Sequence, residues 1–241
     1  MNKEVYKAID LFAGIGGIRM GFDQAFGKQI QTVLVSEFDE PACKTYRANF
    51  NDPFEITDDI TKVTPGEVPD FDICLAGFPC QAFSLAGQRK GFDDDYKGMA
   101  RGTLFFDILR ICTERQSKPR VIFCENVKGL PIHDKGRTLK TILGALEEAG
   151  YTPFCKILNS KDFGVPQNRE RIYIVSFRND IAPDKFEFPT HAGRKATIAD
   201  ILEEAPISPK YYLSDVYVET LRRQVQVRLI AREHCNTERI V

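Results

Sequence analysis

Short apolar runs rich in β-forming residues alternate with amphipathic stretches along most of this chain, and this alternation limits the folds open to it. Such a pattern is typical of a parallel sheet with helices on both faces. It predicts strands near Tyr6–Phe12, Thr32–Ser36, Ile73–Ala76, Val121–Cys124, Phe154–Leu158 and Arg171–Phe177. It predicts helices near Gly17–Phe26, Glu40–Phe50, Leu104–Arg115 and Gly136–Ala149. We therefore expect an α/β fold with a doubly wound, mostly parallel sheet.

A change in composition marks a boundary late in the chain. Four prolines lie between residues 183 and 209, and the alternation of strands and helices stops after Ala182. We expect one domain over residues 1–182 and a separate region over residues 183–241.

The composition is that of an ordinary globular protein. The 241 residues are 43% hydrophobic and 28% charged, with a net charge of −1 at pH 7. This balance excludes a positive field over the whole chain, so a site for a polyanion must be local. The first residues lack the order of a signal peptide, and no apolar run reaches the roughly 18 residues of a membrane span. We expect a cytoplasmic protein that does not enter a membrane.

The cysteines separate into structural candidates and one exception. The chain has seven, without a CxxC pair, which argues against a disulfide framework or a zinc site, so we expect no metal. Cys74, Cys124 and Cys155 lie in apolar strand-like runs and are expected to be small buried hydrophobes. Cys80 instead lies in the segment GFPCQ, directly after a predicted strand. It is the candidate nucleophile.

The segment DLFAGIGG closes the first predicted strand with a turn that carries few side chains. Gly14, Gly16 and Gly17 allow a tight turn and let a ligand approach the backbone without meeting a Cβ atom. Glu37, 21 positions after Gly16, stands where a carboxylate accepts both hydroxyls of a ribose. Arg19 occupies a position where the dinucleotide fingerprint needs glycine, so an adenosine without a pyrophosphate fits better than NAD. On spacing alone, a purely structural turn is an equal alternative.

Three groups are expected at one edge of the sheet, since ligands of doubly wound folds bind outside the carboxyl ends of the strands. The glycine turn, Cys80 and Glu125 each follow a predicted strand. Taken singly, Glu125 is more often an exposed carboxylate, and a cysteine is more often structural than catalytic. Their shared edge favours a small-molecule cradle beside a thiol nucleophile.

Two further segments are candidates for this edge. Residues 81–103 contain four glycines and mixed charge, and a loop of this length inside a domain is typically a lid or a binding loop. In QNRERIYIV, Gln167, Arg169 and Arg171 project to one side of an extended backbone. One of these arginines is a candidate to face the site at the edge of the sheet. The alternative is that both arginines only form salt bridges at the start of the strand.

Together these segments resemble the cytosine-5 DNA methyltransferases. The matching pieces, in the family's order, are DLFAGIGG, SEFDE, DI at residues 59–60, GFPCQAFSLAG, RGTLFFDI, ENV and QNRERIY. Each segment alone is weak evidence, whereas seven segments in the family's order rarely match by chance. The resemblance implies the α/β fold of S-adenosylmethionine-dependent methyltransferases and methyl transfer to carbon 5 of cytosine in double-stranded DNA.

The resemblance also implies which residues bind S-adenosylmethionine. Glu37 would bind the ribose hydroxyls, Phe38 and Ile60 would enclose the adenine, and Asp59 would accept from its exocyclic amine. The implied cofactor-binding residues are Phe12, Ala13, Gly14, Gly16, Gly17, Glu37, Phe38, Asp59, Ile60, Pro79 and Leu104.

The implied catalytic residues are Cys80, Glu125, Arg171 and Arg169. The Cys80 thiolate would add to carbon 6 of the cytosine, with Glu125 at N3, Arg171 at O2 and Arg169 in support. Since a duplex hides carbon 6, the base must be flipped out, and the 81–103 loop would close over it. The implied DNA-binding residues of this loop are Gln81, Ser84, Arg89, Lys90 and Arg101.

The chain departs from the family after QNRERIY. Family members continue with a small target-recognition domain and a GNSV-like segment, whereas here PKYYLSDVYVETLRRQ resembles only the hinge. We expect a second, smaller polypeptide to supply both missing parts. The alternatives are a truncated, inactive remnant that acts as a binding module, and a tRNA cytosine-5 methyltransferase with the same catalytic residues.

Overall fold

A computed structural model of the chain describes residues 5–57, 59–79, 104–190, 193, 196–204 and 207–225, and the backbone of residues 95–96 and 99–100. The chain divides into two compact units, Met1–Ala196 and Thr197–Val241. The predicted functional boundary after residue 182 stays a prediction.

The first unit is built around a six-stranded sheet in the order β2-β1-β3-β6-β8-β7. Its strands are β1 (Tyr6–Leu11), β2 (Ile30–Ser36), β3 (Ile73–Ala76), β6 (Val121–Val127), β7 (Tyr151–Asn159) and β8 (Glu170–Arg178). The first four pair in parallel, whereas β8 runs antiparallel to both β6 and β7. A separate antiparallel pair consists of β4 (Asp95–Tyr96) and β5 (Met99–Ala100). The predicted mostly parallel sheet is confirmed.

Helices cover both faces of this sheet. They are α1 (Gly17–Phe26), α2 (Glu40–Asn49), α3 (Leu104–Thr113) and α4 (Arg137–Glu148). Apolar side chains of α3 and α4 pack on one face in the larger core, and those of α1 pack on the other face against β1 and β3. The sheet is therefore doubly wound, as predicted, and the carboxyl ends of β1, β2, β3 and β6 lie along one edge.

Two details of the prediction are wrong. The strand at Val121 does not end at Cys124, because its antiparallel pairing with β8 continues through Glu125 to Val127. Glu125 therefore lies inside β6 rather than after it. Cys155 is exposed, since β7 is the edge strand of the sheet and has a neighbour on one side only. Cys74 and Cys124 are buried, as predicted.

The second unit contains only short helical elements in the residues that the structure describes. It has short 3-10 turns at Ile198–Ile201 and Pro209–Tyr211, and residues 215–225 form a helix. No helix within the described ranges combines the length and the apolar character needed to cross a bilayer.

Candidate active site

The glycine turn leaves β1 through a left-handed backbone. Phe12 has φ 55°, and Gly14 and Gly16 have φ 56° and 87°. The amide of Ala13 donates to the Ser36 carbonyl at 3.1 Å, and that of Gly16 donates to the Ala13 carbonyl at 2.9 Å. A left-handed conformation is unfavourable for a phenylalanine and is held by its surroundings, a feature that concentrates at functional sites.

The glycines of this turn serve two purposes. No described heavy atom lies within 4 Å of the place where a Cβ atom would sit on Gly14 or Gly17, so the backbone is open there. At Gly16 the same position is 2.2 Å from Cε2 of Phe50. Gly16 is therefore required by the packing of Phe50, whereas Gly14 and Gly17 leave room for a ligand.

Glu37 binds the turn directly. Its Oε2 accepts a hydrogen bond from the Gly14 amide at 2.6 Å, and its Oε1 accepts from the amides of Phe38 and Asp39 at 2.8 Å each. Both lone pairs of Oε1 are used by these amides, whereas Oε2 has one lone pair left. The carboxylate is thus fixed beside the open backbone of Gly14 and can still accept a hydrogen bond from a ligand through Oε2.

The other predicted cofactor residues differ in exposure. Phe38 is 44% exposed, whereas Ile60 and Leu104 are 4% and 6% exposed and belong to the larger core. Phe12 packs against the same core, and Pro79 is half-buried after β3. Phe38 therefore exposes part of its side chain to solvent, while Ile60 and Leu104 offer at most a small part of their surface.

Asp59 begins a short 3-10 helix. Its Oδ1 accepts hydrogen bonds from the amide and hydroxyl of Thr61, at 3.1 Å and 2.6 Å, and its Oδ2 pairs with Lys62 Nζ at 2.8 Å. The hydrogen bonds of Lys62 and Thr61 hold the pKa of the Asp59 carboxyl below its usual value. Asp59 is therefore an ionised acceptor, as a partner for an amine requires.

Glu125 and Arg171 form an ion pair across β6 and β8. Nε of Arg171 lies 3.0 Å from Oε1 of Glu125, and only 22% and 20% of the two side chains are exposed. Burial raises the pKa of the Glu125 carboxyl, although Arg171 and Arg169 partly offset this. The result is a carboxyl group that holds its proton to a higher pH than usual, next to a fixed positive charge.

Arg169 lies one residue before β8 and is exposed. Its amide donates to Asn159 Oδ1 at 3.1 Å, which fixes the backbone while leaving the guanidinium at the surface. Its charge acts on Glu125 from there.

Asn126 connects this pair to the segment that carries the candidate nucleophile. It is 2% exposed, and its Nδ2 donates to the carbonyl of Phe78, two residues before Cys80, at 3.4 Å. Its Oδ1 accepts from the amide of Val127 at 2.8 Å. Sequence reasoning missed this role, although a polar residue directly after the apolar run VIFC and next to Glu125 was the available signal.

Several predicted site residues lie outside the described residues. They are Cys80, Gln81, Ser84, Arg89, Lys90 and Arg101. The lid and the nucleophile therefore stay predictions. Among the residues that the structure does describe, no three His, Cys, Asp or Glu side chains are grouped so as to bind a metal ion.

Comparison with known proteins decides the family. Residues 6–239 match the family model for C-5 cytosine-specific DNA methylases. The chain belongs to this family. The family membership agrees with the resemblance carried by the seven sequence segments.

Similar members of this DNA methylase family are bacterial. The chain is 51% identical over 226 residues to the type II methyltransferase M.HpaII of Haemophilus parainfluenzae, covering 92% of this chain and 60% of that protein. It is 50% identical over 211 residues to M.NlaX of Neisseria lactamica, covering 88% and 64%. The chain thus spans less than two thirds of the length of these relatives.

Solved structures share the fold of this chain. The S. pombe Dnmt2 methyltransferase superimposes with a TM-score of 0.68 at 19% identity, covering 92% of this chain and 67% of that one. The Entamoeba histolytica methyltransferase EhMeth gives 0.68 at 24% identity, covering 88% and 64%. The predicted methyltransferase-type α/β fold is confirmed.

Proposed function

We propose that this chain is the catalytic part of a DNA cytosine-5 methyltransferase that uses S-adenosylmethionine. The observation that carries the proposal is the half-buried pair of Glu125 and Arg171, on the same sheet edge as the glycine turn and tied through Asn126 to the segment before Cys80. Family membership and relatives near 50% identity that are named type II methyltransferases support it.

The cradle, formed by the glycine turn at residues 12–17 and Glu37, has the features that S-adenosylmethionine needs. The open backbone at Gly14 and Gly17 gives room beside an uncapped helix N-terminus, and the fixed Glu37 carboxylate can accept from a ribose hydroxyl. The exposed part of the Phe38 side chain is proposed to lie against the adenine. When bound, S-adenosylmethionine supplies the methyl group, and Phe12, Ala13, Gly16, Asp59, Ile60, Pro79 and Leu104 are the further residues proposed to surround it.

The proposed chemistry begins at Cys80, because carbon 5 of cytosine is too poor in electrons to take up a methyl group. The Cys80 thiolate would form a bond to carbon 6, and the electron pair of the carbon 5–carbon 6 double bond would make carbon 5 nucleophilic. Carbon 5 would then take the methyl group as its bond to the sulfonium sulfur breaks, which leaves the neutral thioether S-adenosylhomocysteine. A base then removes the proton of carbon 5, and the carbon–sulfur bond breaks to release Cys80.

Glu125 and Arg171 are proposed to hold the cytosine during this addition. The raised pKa of Glu125 allows its carboxyl group to donate a proton or hydrogen bond to N3 as carbon 6 is attacked. Arg171 donates to O2, and Arg169 supports the negative charge that develops on the ring. Arg171 therefore has to exchange part of its contact with Glu125 for a contact with the base.

The cytosine must leave the duplex to reach these residues, at an unstacking cost of about a few kcal/mol. We propose that residues 81–103 close over the flipped base and that Gln81, Ser84, Arg89, Lys90 and Arg101 contact the DNA. We propose a cytoplasmic location, where a DNA substrate would be accessible.

Target recognition is proposed to come from a second polypeptide. The relatives are longer than this chain, which covers 60% of M.HpaII, so part of their length has no counterpart in the 241 residues. We propose that residues 1–182 form the catalytic and cofactor-binding domain and that residues 183–241 begin the recognition region. The second polypeptide would complete that region and one wall of the cradle.

Substitution of Glu37 tests the cofactor assignment. Glu37→Ala should weaken S-adenosylmethionine binding by about 1.5–3 kcal/mol, since it removes acceptors and frees the Gly14 amide. Isothermal titration calorimetry measures the change. Glu40→Ala, which removes a carboxylate of the exposed pair with Lys44, is the matched control and should bind normally. Unchanged affinity in Glu37→Ala, or binding of NAD, would contradict the assignment.

Methyl transfer tests the function itself. Tritiated S-adenosylmethionine is incubated with the 241-residue chain and mixed-sequence duplex DNA or tRNA, with and without the product of a neighbouring gene as the candidate second polypeptide. We expect the two chains together to label cytosine in a defined duplex site, and this chain alone to label nothing. Site-specific methylation of DNA by the single chain would refute the need for a partner, and labelling of tRNA alone would refute the substrate.

A further inference from the structure

Asp10 is an acidic side chain buried in the middle of the sheet. It lies on β1 between Val35 of β2 and Leu75 of β3 and is 1% exposed. Its Oδ2 accepts one long hydrogen bond, 3.4 Å from the Tyr46 hydroxyl, and its Oδ1 has no hydrogen-bond partner among the described residues. An ionised carboxylate so poorly hydrogen-bonded is strongly disfavoured, so this environment suits the neutral carboxyl group.

Tyr46 connects Asp10 to a charged network between α1 and α2. The Tyr46 hydroxyl accepts from Nη1 of Arg19 at 2.9 Å, which leaves its own proton for Asp10. Nη1 and Nη2 of Arg19 bind the carboxylate of Asp52 at 2.5 Å and 2.8 Å. The Arg19 guanidinium also lies 4.2 Å from the centre of the Phe50 ring.

The same two aromatic rings lie against the glycine turn. The rings of Tyr46 and Phe50 are 4.6 Å apart. The Cβ position of Gly16 is 2.2 Å from Phe50 Cε2 and 3.0 Å from Tyr46 Cε2. A displacement of Tyr46 or Phe50 therefore changes the contact on which the backbone of the turn rests.

We propose that Asp10 is a positioning residue for the glycine turn, acting through Tyr46 and Phe50, and that it holds the turn in its ligand-binding shape while its carboxyl group is protonated. This inference rests on the proposed function, because the ligand of the turn is the cofactor assigned there.

The charges around Asp10 set the pH range of this effect. Burial raises the pKa of Asp10 to about 7, while Arg19 and the Tyr46 hydrogen bond lower it and Glu37 and Asp23 raise it. The folded chain thus keeps a proton that the unfolded chain releases near pH 4. The contribution of this proton to the free energy of unfolding is complete at low pH and is lost as the pH rises through 7.

Calorimetric titration with S-adenosylmethionine at pH 6 and pH 8 tests the proposal. If only the protonated form holds the turn, the Kd of the wild type should rise about tenfold between these values. Asp10→Asn mimics the neutral carboxyl group and should keep the Kd nearly constant. The amino group of the cofactor titrates in this range for every variant, so the difference between variants isolates Asp10.

Two further variants complete the experiment. Asp23→Asn removes a carboxylate that also contacts Arg19, at 3.3 Å, and lowers the pKa of Asp10, but Asp10 stays titratable, so the Kd of this variant should still rise with pH. Tyr46→Phe should raise the Kd about fivefold at pH 6, the usual worth of one hydrogen bond. A tenfold pH change that survives in Asp10→Asn would overturn the proposal.

Urea unfolding without cofactor separates this inference from the proposed function. The unfolding midpoint of the wild type should fall relative to that of Asp10→Asn between pH 5 and pH 8, and parallel midpoints would overturn the titration of Asp10. If the wild type binds no S-adenosylmethionine at any pH, the proposed function fails, while the urea comparison still decides whether Asp10 titrates.

Discussion

Replacing Cys80 with serine is expected to abolish methyl transfer and to leave cofactor binding nearly intact. The proposed adduct at carbon 6 requires a thiolate, and a serine hydroxyl is far less nucleophilic and almost never ionised at neutral pH. In the assembled enzyme, with the proposed second polypeptide present, we expect a loss on the order of 10⁴-fold or more in kcat. The measurement is initial-rate transfer of tritiated methyl groups.

A matched control and a trapping experiment make this test specific. Cys155→Ser introduces the same change at an exposed cysteine on the edge strand and should retain full activity. Duplex DNA with 5-fluorocytosine at the target should form a covalent complex with the wild type. Carbon 5 then carries fluorine in place of the hydrogen that must leave as a proton, so the bond to Cys80 cannot break. Substantial activity in Cys80→Ser, or the absence of a covalent complex on a denaturing gel, would contradict the mechanism.

Replacing Glu125 with alanine is expected to lower kcat/KM by about 10²–10⁴-fold, the usual contribution of a general acid. The change removes the proton donor for N3 and leaves Arg171, 78% of whose side chain is buried, without its carboxylate partner. Cofactor affinity should change little, because Glu125 belongs to the cytosine half of the site. Single-turnover methyl transfer and S-adenosylmethionine titration measure the two quantities.

The pH dependence separates loss of chemistry from loss of structure in this variant. The raised pKa of Glu125 keeps its carboxyl group protonated to a higher pH than usual. The methyl-transfer activity should fall as the pH rises through this pKa, because the carboxyl group then loses the proton that it donates. Glu125→Gln should therefore lack the alkaline limb of the wild-type profile. Asp180→Asn, at the far end of β8 in an exposed pair with Arg178, is the control and should keep it. A wild-type profile in Glu125→Gln would exclude Glu125 as the acid.

The sequence by itself determined the order of elements and the position of the candidate site. The helix Gly17–Phe26 and the strand Ile73–Ala76 have the predicted bounds, because each depends on local patterns that neighbouring residues carry. The glycine turn and Glu37 also lie together at the ends of β1 and β2, as expected from the rule that ligands bind at the carboxyl edge of the sheet. The seven segments identified the family before any contact was known.

Only the tertiary structure decided which side chains meet. The extension of β6 through Glu125 depends on its pairing with β8, whose residues lie some 46 positions later in the chain. The contact of Asn126 with Phe78 likewise spans 48 positions. The requirement for glycine at position 16 comes from Phe50, and the hydrogen bond and the nearby positive charge at buried Asp10 come from Tyr46 and Arg19. Local patterns specify elements, whereas burial and long-range pairing arise only when the elements pack, which is why protonation and side-chain contacts could not be predicted from the sequence.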